Sequence, residues 1–343
     1  MSDEATLLIR KALRQGQVYS PPTVNPLEQF VRRFQITDDM VSQMEQAEII
    51  WNDVLVSGHV QVWASKPNGG KTTIAMLAAS ELASKYDVYF LQEDAGAGDL
   101  PALKAHANLH GYSLLNSMLA SSTTEAMLEQ LKGLRNVDLS NHVFIFDTLK
   151  KFADVMSKRG APEFFKLMRG LSTLGATVVL LGHTNKHLAV DGKPVFEGVG
   201  DVRSDVDELF YLLRTDSQND ECLVQFEAEK CRAAVGKPTF KINTQTRAVW
   251  RTDVDIDVAA LARIQEQRRK DADIIEAVNQ RLRSGTGTEA ITSLARAVSE
   301  AVGCGINKAQ KVIKRHSSPN DVNAIWLASR LFAHNEIRIS LKP

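Results

Sequence analysis

Only three cysteines occur in the 343 residues, Cys222, Cys231 and Cys304. They form no C-x-x-C pair and no Cys/His metal spacing, which argues against a disulfide framework and a zinc site and for a reducing compartment. Net charge is missing as well, because 41 basic residues cancel 41 acidic ones. Nucleic-acid contacts must therefore come from local patches and not from a globally cationic field. No run reaches the ~18 apolar residues of a membrane helix. The opening MSDEATLLIRKALRQGQVYSPP carries acids early and only a brief apolar patch, unlike a secretory signal. A cytoplasmic, soluble protein without a membrane partner is expected. No internal repeat is present.

What is there is strongly organised. Residues 1–25 hold one short amphipathic segment followed by Ser20-Pro21-Pro22, which forbids helix and reads as a linker. From 25 to about 50 the pattern is helical, with Thr37-Asp38-Asp39 as a cap. Short apolar runs then alternate with helical stretches: HVQVWAS, DVYFLQE, HVFIFDT, TVVLLGHT and ELFYLLR, separated by amphipathic segments at 71–85, 98–110, 123–135 and 161–174. Near-continuous apolar strands between helices indicate a parallel sheet covered on both faces. CLVQFEAEK, PTFKINTQ and AVWRT then read as a hairpin-connected antiparallel extension. The expected fold is α/β, doubly wound and mainly parallel, over 26–252, followed by a linker helix over 253–270 and a separate tail over 271–343. The run Gln267-Arg268-Arg269-Lys270 is either a solvated face of that linker or a binding site.

The stretch VWASKPNGGKTT carries the chemistry. A phosphate-binding loop G-x-x-x-x-G-K-[ST] wraps phosphate in backbone N–H groups at a helix N-terminus, while its lysine and hydroxyl serve phosphate oxygens and Mg²⁺. Ser65, Pro67, Asn68, Gly69, Gly70, Lys71, Thr72 and Thr73 are the candidate loop, with a strand before it and a helix after it. Ser65 departs from the consensus glycine, a change that a negative φ would tolerate. Asp147 ends an apolar strand where, with Thr72, it would hold the Mg²⁺ shell; alternatively it caps a helix. Glu93, at the end of VYFLQE, lies where a carboxylate faces the ligand crevice and activates water. His183, ending VVLLGH, would sense phosphate or serve packing alone.

Together these pieces resemble the RecA superfamily, and within it the RepA-like and DnaB-like hexameric helicase ATPases. The likeness covers roughly 40–250, through SKPNGGKTT, YFLQED, VFIFDTLKKF, VVLLGHTNK and FEAEKCRAAVGKPTFKI. It implies a ring-forming ATPase using ATP and Mg²⁺, with Glu93 as catalytic base, Asp147 at the metal and Lys71 at the phosphates. Asn185 to Asp207 would form a channel-facing loop with Lys186, His187, Lys193 and Arg203 as candidate DNA contacts. Lys230 and Arg232 resemble a K-x-R pair reaching into a neighbour's ATP site; without that resemblance they read as an exposed basic strand edge.

The tail shows helical periods at 271–283, 288–302 and 307–316, then a final helix near 322–334 and a strand EIRISL. A small winged-helix-like α(+β) domain is expected, with Trp326, Leu327, Leu331 and Phe332 in its core. Lys308, Lys311, Lys314 and Arg315 recur at three- and four-residue spacings, giving either a stripe for DNA phosphates or a solvated face. The domain would bind duplex DNA or a protein partner. The leading expectation is an ATP-dependent DNA helicase or translocase, a homo-oligomer, hexameric by resemblance, serving replication of a plasmid, phage or integrated element. The alternative is an ATP-switch regulatory or recombination protein that assembles on DNA without unwinding it.

Overall fold

The computed structural model describes residues 25–42, 46–135, 137–154, 160–185, 194–197, 202–215, 219–321, 323–331 and 336–342. Two compact units divide the chain, 1–46 and 47–343. Apart from Asn25, the expected arm lies outside the described residues.

In the first unit the expected helix is split into α1 (Pro26–Phe34) and α2 (Asp38–Ser42). The Asn25 side chain accepts from the Leu27 N–H at 2.9 Å, and proline takes the first helical position, where its missing N–H costs nothing. Leu27, Phe30 and Phe34 recur on one face of α1 and are 66%, 58% and 62% exposed.

In the second unit, β1 (Ile49–Trp51) and β2 (Leu55–Val56) form a small hairpin where the sequence pattern suggests helix up to 50. Trp51 is buried against Trp63 and Phe240, so tertiary packing overrides the weak local signal there. Then β3 (Val60–Ser65), α3 (Lys71–Leu82), β4 (Asp87–Gln92), α4 (Leu100–His110), β5 (Ser113–Leu115), α5 (Thr124–Lys132), β6 (His142–Asp147), α6 (Leu149–Phe152), α7 (Gly160–Thr173), β7 (Thr177–His183), α8 (Val202–Asp205) and β8 (Glu208–Arg214) follow one another. An extension of β9 (Glu221–Lys230), β10 (Thr239–Asn243) and β11 (Val249–Arg251) closes the domain.

All these strands from β3 onward belong to one sheet of order β11-β10-β9-β8-β3-β7-β6-β4-β5. Strands β3 to β8 are mutually parallel, while β8 to β11 pair antiparallel. The expected mainly parallel α/β sheet with an antiparallel extension is borne out. Its central strand β3 is buried along its whole length, as a strand covered on both faces must be. Trp63, Phe90, Ile145, Leu181 and Phe226 pack on one face with Ile74, Ala75 and Ala78 of α3. Val62, Leu91, Phe146 and Leu180 pack on the other with Phe164, Phe165 and Met168 of α7. Because the strands are parallel, Ser65, Gln92, Asp147, His183 and Arg214 end at one common edge, with Gln92 opposite Asp147 and Ser65 opposite His183.

After the sheet domain comes α9 (Val258–Lys270), and the tail contains α10 (Ala272–Ser284), β12 (Thr288–Ala290), α11 (Ile291–Val302), α12 (Ile306–Arg315), β13 (Trp326–Leu331) and β14 (Glu336–Leu341). Its three strands form an antiparallel sheet of order β12-β14-β13. The helix expected near 322–334 is instead strand β13, because burial there follows a period of two: Ala324 and Trp326 are buried and Ala328 packs on the same core, the strand and not the helix repeat. Leu327 is half-buried; the Leu331 side chain and Phe332 lie outside the described residues. Of the three cysteines, Cys222 is buried, Cys304 half-buried and Cys231 exposed. Among the described residues no helix is long and apolar enough to cross a membrane.

Trp326 is fully buried and its indole N–H donates to Asn279 Oδ1 at 2.9 Å, tying β13 to α10. Trp326→Ala is expected to cost roughly 3–5 kcal/mol. Limited proteolysis of the full chain should then cut the tail far below the temperature at which the sheet domain unfolds; unchanged resistance of the tail would count against this packing.

Candidate nucleotide site

The loop between β3 and α3 is shaped by steric necessity. Gly70 lies at φ +92°, which demands glycine, and a Cβ there would come within 2.8 Å of the Ile242 Cδ1 methyl, which would have to shift. Gly70 precedes α3 without any side-chain cap, leaving the first-turn N–H groups to an outside acceptor. Helix α3 itself is held by Ile74, Ala75, Ala78, Ala79 and Leu82 facing the sheet.

Ser65 replaces the consensus glycine and fills the room that this leaves. Its hydroxyl donates to the Lys66 carbonyl at 2.8 Å and accepts from Lys71 Nζ at 3.2 Å. A Cβ on Gly69 would collide with Ser65 Oγ and come within 2.8 Å of the Lys66 oxygen. The bulk added at the first loop position is thus absorbed at the fifth. On the outer side, Arg214 at the end of β8 donates to the Asn68 carbonyl. Lys66, Pro67 and Asn68 are exposed, and Thr72 and Thr73 half-buried.

Lys71 is buried, and desolvation draws its ammonium down to about 8, against the opposing charge of Asp147. The Lys71 ammonium also approaches His183 Nδ1 at 3.5 Å. With Nδ1 accepting, the proton of a neutral ring sits on Nε2, and that buried atom has no hydrogen-bond partner among the described residues. Burial, reinforced by Lys71, holds the His183 pKa below its usual value, so the neutral ring is favoured. Asp147 is buried too: burial pushes its carboxyl above the usual carboxylate range, against hydrogen bonds from Thr72 and Gln92. Both bonds reach the same oxygen, Oδ2, from Thr72 Oγ1 at 2.8 Å and from Gln92 Nε2 at 2.8 Å.

Glu93 follows β4 on the same edge, yet its carboxylate turns the other way. It accepts from the Ser117 N–H at 2.6 Å and the Ser117 hydroxyl at 2.8 Å. Beside His183 opens a cavity of about 360 Å³, lined in part by Lys150, Lys151, Phe196, Glu125 and Glu197. Lys151 in turn pairs with Asp94 at 3.4 Å.

The remaining expected residues lie elsewhere. Lys230 and Arg232 sit where β9 ends beside the start of β8, at the edge opposite the loop. Lys230 Nζ donates to the Arg203 and Val206 carbonyls at 2.6 and 2.7 Å, while Arg232 Nη1 meets Asp207 Oδ1 at 2.7 Å. Strand β9 ends at Lys230, so Arg232 lies beyond the strand edge on which both were expected; both cations nevertheless converge on the 203–207 turn. Arg203 itself pairs with Glu229. In the tail, Lys308, Lys311 and Lys314 are exposed, whereas Arg315 meets Asp271 at 2.7 Å. Lys186, His187 and Lys193 lie outside the described residues.

Three contributors escaped the sequence reading: Gln92, Arg214 and Ser117. Gln92 and Arg214 carried a signal, being polar side chains at the ends of otherwise apolar strands. Ser117 carried none.

The residues fit a nucleotide and a divalent cation. Thr72 and Asp147 offer adjacent oxygen donors of the kind Mg²⁺ prefers, the Gly69-Gly70 turn admits close approach of phosphate, and His183 Nε2 and Thr184 Oγ1 are buried polar atoms without partners among the described residues. The Ser65–Gly69 contact is directly testable. Gly69→Ala is expected to destabilise the chain by roughly 1–3 kcal/mol, with Ser65→Gly recovering part of the loss, since the Lys66 carbonyl remains in the way. A double-mutant cycle by denaturant unfolding measures the coupling; additive effects would mean that Ser65 does not fill that space.

No protein-family model matches the sequence, and comparison with curated proteins yields no match. Solved structures similar to the chain include the crystal structure of flagellar accessory protein FlaH from Methanocaldococcus jannaschii, at 10% identity and a TM-score of 0.43 over 60% of this chain and 98% of that one. Another is the ATPase domain of a second protein, at 11% identity and a TM-score of 0.43 over 57% of this chain and 85% of that one. The mainly parallel strand order and the glycine-rich loop between the central strand and the helix that follows it make this an α/β domain with a P-loop arrangement.

Proposed function

We propose that the sheet domain binds ATP with Mg²⁺ and hydrolyses it at an interface between copies of the chain, and that hydrolysis drives the protein along DNA or separates its strands. The observation that carries this reading is the meeting of Lys71, Thr72 and Asp147 through Ser65, His183 and Gln92 at one sheet edge. Bound Mg²⁺ would supply charge neutralisation at the phosphate oxygens. Lys71 offers its ammonium to the same oxygens, Thr72 and Asp147 hold the cation, and His183 presents an N–H. Glu93, on the neighbouring strand end, takes the proton of the attacking water.

Lys230 and Arg232 belong to the opposite edge and so cannot serve the loop of their own chain. In a head-to-tail assembly two different faces of the subunit meet, and an arginine arriving from the next copy makes hydrolysis conditional on assembly. Arg232, 57% exposed along its side chain, is the more available of the two. The exposed apolar stripe of α1 also favours oligomers, since a second copy would cover it. We read the assembly as a ring, hexameric by resemblance.

The DNA reading rests on the same resemblance through Lys186 and Lys193, and on Lys308, Lys311 and Lys314 along α12. Pairing with Glu229 weakens the case for Arg203 as a DNA contact. The tail's order of helix, strand, two helices and hairpin supports a winged-helix domain. The protein would act in the cytoplasm, in replication of a plasmid, phage or integrated element.

A forked substrate tests the proposal. ATP turnover is expected to rise with single-stranded DNA and to accompany strand separation, both lost in Lys71→Ala; ATP-dependent binding to duplex without unwinding would replace the helicase with a nucleotide-driven DNA switch. Burial of Lys71 gives a pH signature. An ammonium titrating near 8 in the free chain is pulled upward beside a polyanion, so ATP binding at pH 8 should take up about half a proton, falling towards zero near pH 6. Calorimetry in buffers of different ionisation enthalpy measures the uptake, and Lys71→Met should remove it.

A further inference from the structure

The orientation of Glu93 raises a question that the proposed chemistry leaves open. Strand β5 lies on the far side of β4 from β6, and Ser117 follows β5 by two residues. A carboxylate drawn to Ser117 is therefore turned towards the sheet edge, away from Asp147 and Thr72. Both its oxygens are engaged: Oε1 by the Ser117 N–H, and Oε2 by the Ser117 hydroxyl, with Thr124 Oγ1 a more distant 3.4 Å away. A base must lie within reach of the water it deprotonates, and this carboxylate is held on the side of β4 away from Thr72 and Asp147.

Ser117 is built to hold. It is 1% exposed, whereas the next two residues, Met118 and Leu119, are 80% and 72% exposed. The holding serine thus lies directly beneath an exposed turn at 118–119. Asn116 anchors the loop, its Nδ2 donating to the Gln92 carbonyl at 2.7 Å. The Gln92 side chain in turn donates to Asp147, and its Oε1 accepts from the Asp94 and Ala95 N–H groups at 2.8 and 3.0 Å. Gln92 thus joins Asp147 to the Glu93 turn through its side chain and to the Ser117 loop through its backbone carbonyl.

We propose that Ser117 is a positioning residue that parks Glu93 away from the phosphates and thereby restrains ATP turnover until the 116–124 loop moves. The proposal rests on the reading of Glu93 as the base. It adds a condition on hydrolysis inside the chain to the one set by the arginine of the next copy.

The test is phosphate release by the full chain with Mg²⁺-ATP, alone and with a single-stranded oligonucleotide. Ser117→Ala removes one donor to a charged acceptor and is expected to raise kcat without DNA about tenfold, equivalent to ~1.4 kcal/mol, with KM for ATP unchanged. Turnover with DNA should change by less than about twofold. Ser117→Thr, which keeps hydroxyl and N–H, should stay at the parent rate. A fall or no change in DNA-free kcat for Ser117→Ala overturns the proposal, because a merely structural serine would not speed the enzyme when removed. Binding of a non-hydrolysable ATP analogue checks that the variant is folded; should it not be, Thr124→Val decides, with a smaller rise expected and no rise counting against the latch. Glu93→Gln separates the two readings. If it keeps turnover, the base assignment itself fails; if it abolishes turnover in both the parent and Ser117→Ala chains while Ser117→Ala alone gives no rise, only the latch fails.

Discussion

The Asp147 carboxylate is the junction on which the site depends. A buried charge must be compensated or it will take a proton, and Asp147 is buried at the end of a strand surrounded by apolar neighbours. Its compensation comes from the first turn of α3 through Thr72 and from the end of β4 through Gln92, both on one oxygen. That arrangement leaves the other oxygen uncommitted by these bonds and fixes the distance between the helix carrying Lys71 and the strand carrying Glu93. Removing either donor would leave the carboxylate under-satisfied in a low-dielectric setting. The loop's geometry is thus a consequence of satisfying a carboxylate as much as of the glycines.

A second carboxylate organises the opposite edge. Asp207 is buried and accepts from the Val60 N–H at 2.9 Å, Arg169 at 2.6 Å and Arg232 at 2.7 Å. Although burial pushes the other way, the Arg169 and Val60 donors and the Arg169 charge hold its carboxyl below the usual carboxylate range. Here the side-chain hydrogen-bond donors are cationic, whereas at Asp147 they are neutral and the Lys71 ammonium acts through its charge alone. The contrast matters: an acid already paired with two guanidinium groups has little to offer a divalent cation, while an acid paired with a hydroxyl and an amide keeps its affinity for one. The sheet separates two edges of different chemistry, and its apolar length prevents them from meeting in one chain.

The parallel strands were legible because strands covered on both faces leave near-continuous apolar runs, and VQVWAS, VFIFD and TVVLLGH are such runs. Strand β13 was not, since WLASRL is short enough to satisfy either period and its register is set by pairing with β14. The same distinction divides the site. Lys71, Thr72, Glu93 and Asp147 could be found from local pattern, but their restraints come from far along the chain: Gln92 lies 55 residues from Asp147, Ser117 lies 24 from Glu93, and Arg214 lies 146 from Asn68. Ser65 was visible as a departure from the loop pattern, while its compensation by Gly69 appears only when the turn is folded.

Charge shows most plainly what sequence reading overlooks. A stripe of Lys308, Lys311, Lys314 and Arg315 counts as four cations on paper, but Arg315 is committed to Asp271, which also accepts from His316 at 2.9 Å and Gln267 at 3.0 Å. Asp271 stands between α9 and α10, so this cluster fixes the end of α12 to the joint that leads into the tail. Arg315 therefore contributes to the placement of α12, and only the three lysines remain to meet phosphate. Since electrostatic affinity for nucleic acid scales with the number of phosphates neutralised, the proposed DNA contact would draw on three cations of this stripe and not on four. Lys230 is a parallel case, its ammonium spent on backbone carbonyls at the turn beside Asp207. In both places a cation that the pattern offers to a partner is first used to build the surface the partner would meet.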